Sequence, residues 1–126
     1  ECLVGNFGAT DRWNYTAVGD VVNTAARLET LNKQMSTRCL MSAAVYDEVR
    51  EVPELSEYMR PLGNVLLVGK TQEVSVYELC ARPMPNLSEW RYHIRGCQEG
   101  RMANAEKYFM TLTDDPAACA LTTEIR

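Results

Sequence analysis

The run Tyr15-Thr16-Ala17-Val18-Gly19-Asp20-Val21-Val22-Asn23-Thr24-Ala25-Ala26-Arg27-Leu28-Glu29 decides how this chain is read. It begins as a short strand, turns at Gly19-Asp20 and continues as a helix. Asp20 is a fitting N-cap, because a carboxylate can accept from the free N–H groups of a first helical turn. Beyond it Val21, Val22, Ala25, Leu28 and Leu31 recur at three- and four-residue spacing and form one apolar face. Asn23 and Arg27 stand four apart, one turn above each other on the flank of that face. Asn23 falls in the first turn, where the helix dipole favours an anion. A guanidinium is planar, permanently charged and able to grip phosphate oxygens in two places. The two side chains together therefore form a candidate anion-recognition pair. The same spacing also describes an ordinary solvated flank, and geometry alone does not choose between them.

Outward from this run, the 126 residues suffice for one ordinary domain or a small domain with an appendage. With 46% apolar and 24% charged residues the composition is that of a soluble globular protein. No apolar run approaches the ~20 residues of a membrane span, so no membrane contact by this segment and a cytoplasmic location are expected. A net charge of −4 argues against a nucleic-acid surface. The start, Glu1-Cys2-Leu3-Val4, has neither a basic leader nor an initiating Met, so the chain is expected to begin inside a larger polypeptide. Cys2, Cys39, Cys80, Cys97 and Cys119 form no Cys-x-x-Cys pair, and only His93 offers an imidazole beside them. Free thiols are expected, with no zinc site, no metal ligands in this chain and no disulfide framework.

Taken in order, Cys2-Leu3-Val4 reads as the end of a buried strand, and Gly5 and Gly8 as the brackets of a turn with Asn6 left-handed in it. Residues 9–14, with Thr10-Asp11-Arg12, read as an exposed excursion returning through Trp13 and Tyr15. The helix is expected to end near Asn32-Lys33. Arg38 to Met41 reads as a short strand, and Ser42 as the cap of a second helix with Ala43, Val45, Tyr46 and Val49 on its apolar face, ended by Pro53. Met59 to Leu62 leads through Gly63 to Val65–Val68, Gly69-Lys70-Thr71-Gln72 turns, and Val74 to Leu79 returns as an antiparallel partner. Two prolines at Pro83 and Pro85 mark a linker. Beyond them Leu87–Gln98 and Met102–Leu112 read as helices parted by Gly100, packing through Trp90, Ile94, Ala105, Tyr108, Phe109 and Leu112. Asp114-Asp115-Pro116 opens a third helix with proline in its first turn, and His93 reads as a helix-surface residue.

The residues Gly5-Asn6-Phe7-Gly8, then Arg12, then Tyr15 to Glu29 closely resemble the second half of the class III nucleotide cyclase catalytic domain. That family's pattern runs roughly G-N-x-G-S, a basic residue, then Y-T-x-x-G-D-x-V-N-x-A-A-R-L-E. The likeness continues through Leu62-Gly63 and Tyr77-Glu78-Leu79. It implies an α+β fold: the C-terminal part of a ferredoxin-like catalytic domain, mainly antiparallel sheet with helices packed on it, over residues 1–81. Residues 82–126 would then be a linker and small α-helical tail. Ala105-x-x-x-Phe109 and Pro116 weakly resemble one tetratricopeptide unit, which cannot bury its own core alone.

The resemblance implies conversion of a nucleoside triphosphate to a 3′,5′-cyclic nucleotide and pyrophosphate, at an interface with a second cyclase catalytic domain. Family chemistry uses two metal ions, Mg²⁺ or Mn²⁺, on aspartates that would lie upstream of Gly5. Asn23 would orient the ribose and Arg27 stabilise the phosphate in the transition state, while Asp20 holds the turn. Arg12 would lie near the triphosphate. Thr16 holds the base-contacting position after Tyr15; a threonine there resembles the bicarbonate-responsive cyclases, whose substrate is ATP, and ATP is favoured over GTP. One departure stands out: the family lysine before the turn glycine is Val68 here, and Lys70 is the nearest substitute phosphate ligand. Two rival readings are a non-catalytic cyclase-like partner or regulator, to which Val68 lends support, and a helical adaptor built on residues 87–126. Alone, the chain is expected to be catalytically silent and marginally stable or self-associating.

Overall fold

The computed structural model describes residues 1–8, 14–112 and 114–125. Strands β1 (Leu3–Phe7) and β2 (Asn14–Val18) form an antiparallel hairpin, with Leu3 opposite Val18 and Gly5 opposite Thr16. Helix α1 (Asp20–Met35) follows, then β3 (Leu40–Ser42), α2 (Ala43–Val49), β4 (Met59–Val65) and β5 (Val74–Leu79). A second sheet is ordered β3-β5-β4, antiparallel at each pairing. Three helices close the chain: α3 (Leu87–Gln98), α4 (Met102–Met110) and α5 (Pro116–Ile125). The expected α+β class with antiparallel sheets holds. The excursion at residues 9–13, Arg12 included, lies outside the described residues.

Several local expectations need correcting. β1 is not buried: Leu3 and Val4 are 69% and 59% exposed, because among the described residues its hairpin has no third strand and no sheet beneath it. Gly5 and Asn6 lie inside β1, which runs to Phe7, and not in a turn. Asp20 does not cap α1. Gly19 occupies the N-cap position and makes no side-chain cap, while Asp20 is the first helical residue. Gly19 is needed for another reason, since a Cβ there would stand 3.2 Å from Cys2 Cα and 3.3 Å from the Glu1 carbonyl oxygen. α1 also runs on to Met35, ended by Ser36 in the left-handed conformation. In the β4–β5 hairpin the strand is 59–65, with a register shift between Pro61 and Gly63, and Leu66–Val68 belong to the connection. The extra residue at that bulge, Leu62, points into the core.

The core has two parts that meet on α1. Leu28 packs with Leu67 and Val76, against Val65 and Val74. Seven residues along the helix, Met35 packs with Leu62 of β4 and with Trp90, Ile94, Ala105, Phe109, Ala117, Ala118 and Leu121 of the three tail helices. Leu31 and Leu40 touch both clusters. Leu28, Leu31 and Met35 follow the three- and four-residue step that brings side chains to one helix face. The tail is therefore packed on the sheet and on α1: α3 lies on β4, and α5 on α4 and α1.

Candidate functional site

Asn23 and Arg27 project from the first two turns of α1, and both are exposed. Neither side chain has a hydrogen bond or ion pair among the described residues. Their placement follows from the sequence: β2 ends at Val18, Gly19 allows the close turn against Cys2, and the helix then fixes the four-residue spacing. Thr16 lies on β2, also exposed, three residues before that turn. An amide, a guanidinium and a hydroxyl thus stand around one helix start without a partner among the described residues.

Lys70 reaches the same helix end from fifty residues away. Its Nζ lies 2.5 Å from Asp20 Oδ1, and the Asp20 side chain is 80% exposed. The ammonium is delivered to the start of α1 by the β4–β5 connection, where the Lys70 amide also donates to the Leu67 carbonyl at 3.0 Å. Val68, at the position where the family has lysine, is exposed beside it.

On the other flank of α1 a cavity of about 950 Å³ opens between α1, β3, α2 and residues 70–74. Val21, Ala25, Leu28, Met41, Val45 and Val74 give it apolar walls, whereas Asn23 and Arg27 do not line it. The apolar face of α1 is therefore covered only from Leu28 onward, and Val21 is left exposed.

Among the described residues no three His, Cys, Asp or Glu side chains gather closely enough to hold a metal ion. Asp20, in the same first turn as Asn23, is engaged by Lys70. The residues described here do not fit a metal centre. Cys2, Cys39, Cys80 and Cys97 form no disulfide among the described residues. Burial, aided by the neighbouring Glu78 charge, pushes the Cys80 thiol up to about 11, so it stays protonated and unreactive near neutral pH. His93 is half-buried and stacks on Tyr108 at 4.2 Å, which makes it a packing residue.

The residue that motif reading passed over is Arg60. It is 3% exposed, and it gathers two carboxylates. Its Nε donates to Glu78 Oε2 at 2.7 Å, while Nη1 and Nη2 donate to the two Asp115 oxygens at 2.6 and 2.9 Å. Its guanidinium carbon lies 4.1 Å from the Trp90 ring centroid, and Trp90 Nε1 donates to the Pro61 carbonyl at 2.6 Å. A lone arginine inside the apolar strand segment Met59-Arg60-Pro61-Leu62 was the available signal, since buried charges must be paired.

No family model matches the chain. It is similar to adenylate cyclase 1 of Rhizobium meliloti, at 39% identity over 77 residues, or 61% of this chain and 11% of that protein. It is also similar to the adenylate cyclase of Anabaena cylindrica, at 33% identity over 63% of this chain and 16% of that protein. Among solved structures it resembles the adenylyl cyclase CyaB from P. aeruginosa with a TM-score of 0.50 and 29% identity, over 68% of this chain and 40% of that one. The chain thus spans well under a fifth of the length of the cyclases it matches in sequence.

Proposed function

Since this chain carries a class III cyclase catalytic-domain region, we propose that it supplies the ribose- and phosphate-recognising part of a nucleotide cyclase active site. The reaction is intramolecular: the ribose 3′-hydroxyl loses its proton and attacks the α-phosphorus, and pyrophosphate leaves. Asn23 holds the ribose. Arg27 meets the negative charge that builds on the phosphate, as a preorganised, permanently charged donor. Thr16 contacts the base, where its hydroxyl can donate or accept, and ATP is the favoured substrate over GTP. Lys70 is a substitute triphosphate ligand that exchanges Asp20 for a phosphate oxygen, and Arg12 is assigned to the triphosphate by resemblance alone. Carboxylates that would hold Mg²⁺ or Mn²⁺, and a second catalytic domain that would complete the site, are assigned by resemblance to parts of the protein other than the described residues.

One observation carries the reading. Asn23 and Arg27 sit one turn apart at a helix start, exposed and without partners among the described residues, so their polar groups are available to a ligand. The test is cyclase activity of a complete catalytic domain containing this chain, assayed with ATP and GTP side by side in Mg²⁺ or Mn²⁺. Replacing Arg27 by Ala is expected to cost about 100- to 1,000-fold in turnover, ~3–4 kcal/mol, as for loss of one oxyanion donor. An undiminished rate would refute the role given to Arg27. A second reading, a non-catalytic cyclase-like partner, draws on Val68, which leaves an exposed apolar side chain where the family has a phosphate-binding lysine. Absence of cyclic product from either nucleotide would favour it.

A further inference from the structure

α1 is anchored unequally. At its N-terminal end the Asp20–Lys70 pair involves an 80% exposed carboxylate, and such pairs hold weakly and are screened by salt. In the middle Leu28 rests on Leu67 and Val76. At its C-terminal end Met35 is part of the larger cluster, most of which belongs to the tail helices. That cluster is closed by Arg60, which ties β4 to the start of α5 through Asp115 and to β5 through Glu78, with Trp90 of α3 stacked on its guanidinium. Asp115 in turn accepts from the Ala117 and Ala118 amides at 3.1 and 3.4 Å, so the same carboxylate caps α5 and binds Arg60.

A buried ion group of this kind is a poor device for stability alone, since well-packed apolar residues of similar size often do as well. What it provides is orientation. The guanidinium fork meets Asp115 with two parallel bonds and so fixes both distance and angle. α5 packs on α1 as well as on α4, and the continuous i to i−4 hydrogen bonds along the middle of an α-helix make it a stiff element. From Met35 back to Arg27 is about 12 Å, at 1.5 Å per residue.

We propose that the helical tail is a positioning element for α1, with Arg60 and Asp115 as its joint, so that the tail sets where Asn23 and Arg27 stand. This rests on the catalytic roles proposed above for those two residues. Displacing a catalytic group by an ångström can cost about a hundredfold in rate, so a small loosening of the joint suffices to be felt.

The test uses the full-length protein carrying Asp115→Asn, with Asp114→Asn as control, an exposed neighbour outside the joint. Two quantities are read: amide hydrogen exchange across 20–35 and 87–125, and kcat and KM per folded molecule, with the folded fraction fixed by circular dichroism. Expected are faster exchange in the tail and in α1 together, and a kcat lower by about tenfold or more with KM within about twofold. The control is expected to match the parent in both. An unloosened tail overturns the joint. A loosened tail with unchanged α1 exchange and unchanged kcat overturns the coupling. Should Asp115→Asn fail to fold, Arg60→Lys, which keeps the charge but loses the fork, is read by the same criteria. If the parent protein makes no cyclic nucleotide, the cyclase reading fails, and exchange in α1 still decides the coupling.

Discussion

The two ends of α1 are built on different plans. Around its C-terminal end the largest core side chains find cover: Trp90, Phe109 and Met59 are fully buried, and Arg60, the one buried charge among the described residues, has both of its carboxylates within 2.9 Å. Around its N-terminal end the β1–β2 hairpin exposes Leu3, Val4, Tyr15 and Val18, and Val21 is exposed beside the apolar cavity. The end with the run that resembles cyclases is thus the more open one, and the end without a motif is the better covered. Under the proposed function, residues at the more open end meet a substrate and a partner and cannot spend their polar groups and apolar faces internally, whereas the three closing helices pack on the chain itself. The motif therefore lies where the chain leaves most apolar surface uncovered.

The largest effect that could break this contrast comes from Arg60→Ala. It leaves the partly buried Asp115 and Glu78 carboxylates without their cation and is expected to cost about 3–5 kcal/mol in urea unfolding. A cost below about 1 kcal/mol would show that the joint is wet and adjustable after all. Next comes acid. Burial by itself would raise the Asp115 carboxyl, but the Arg60 hydrogen bonds and charge, with the Ala118 and Ala117 amides, bring it below its ordinary value. A depressed carboxyl contributes stability that is complete above its unfolded value, near 3.9. That stability is lost as pH falls from there through the lower folded value. Unfolding measured from pH 6 down to 2 is expected to show this acid limb, and Asp115→Asn to flatten it.

Smaller effects sharpen the other side. Lys70→Met removes an exposed pair and is expected to change stability by at most about 1 kcal/mol, with any difference disappearing at high salt. If Lys70 binds triphosphate, the same change raises KM in the complete enzyme, and a KM left unchanged removes it from the site. Smallest of all, Leu3→Ser is expected to leave the folding free energy of this chain within about 0.5 kcal/mol, because that side chain has little to lose. It should nevertheless reduce self-association in analytical ultracentrifugation. A monomeric parent chain would show that the bare hairpin is not adhesive.

Much of the architecture was legible because short-range chemistry specifies it. The spacing Trp90–Ile94 and Ala105–Phe109 placed α3 and α4, and Pro116 placed the start of α5 within its own first turn. The β4–β5 pairing was legible from its turn, although a bulge moved the strand earlier than its apolar run suggested. What failed did so for tertiary reasons. Asp20 had the composition of a cap, yet Lys70, fifty residues away, claims its carboxylate while Gly19 takes the cap position. Leu3 and Val4 look like interior residues, and exposure depends on what lies beside a strand rather than on the strand itself. Arg60 and Asp115 are fifty-five residues apart, and no local pattern announces a contact at that separation. For the site, Asn23 and Arg27 were legible as a pair because one helix fixes their spacing. Arg12 lies outside the described residues.

Trp90 gives this junction an optical signature. The sequence has two tryptophans, Trp13 and Trp90, so Trp13→Phe leaves a single indole to observe. That indole is sealed from water, its N–H is committed to the Pro61 carbonyl, and a guanidinium lies over its face. Parting of the helices from the sheet would hydrate the ring and move its emission to longer wavelength, while separating the cation from it. Opening and closing of the joint can thus be followed by light in an otherwise unlabelled molecule, on the timescale of mixing, and under the same conditions in which turnover is measured.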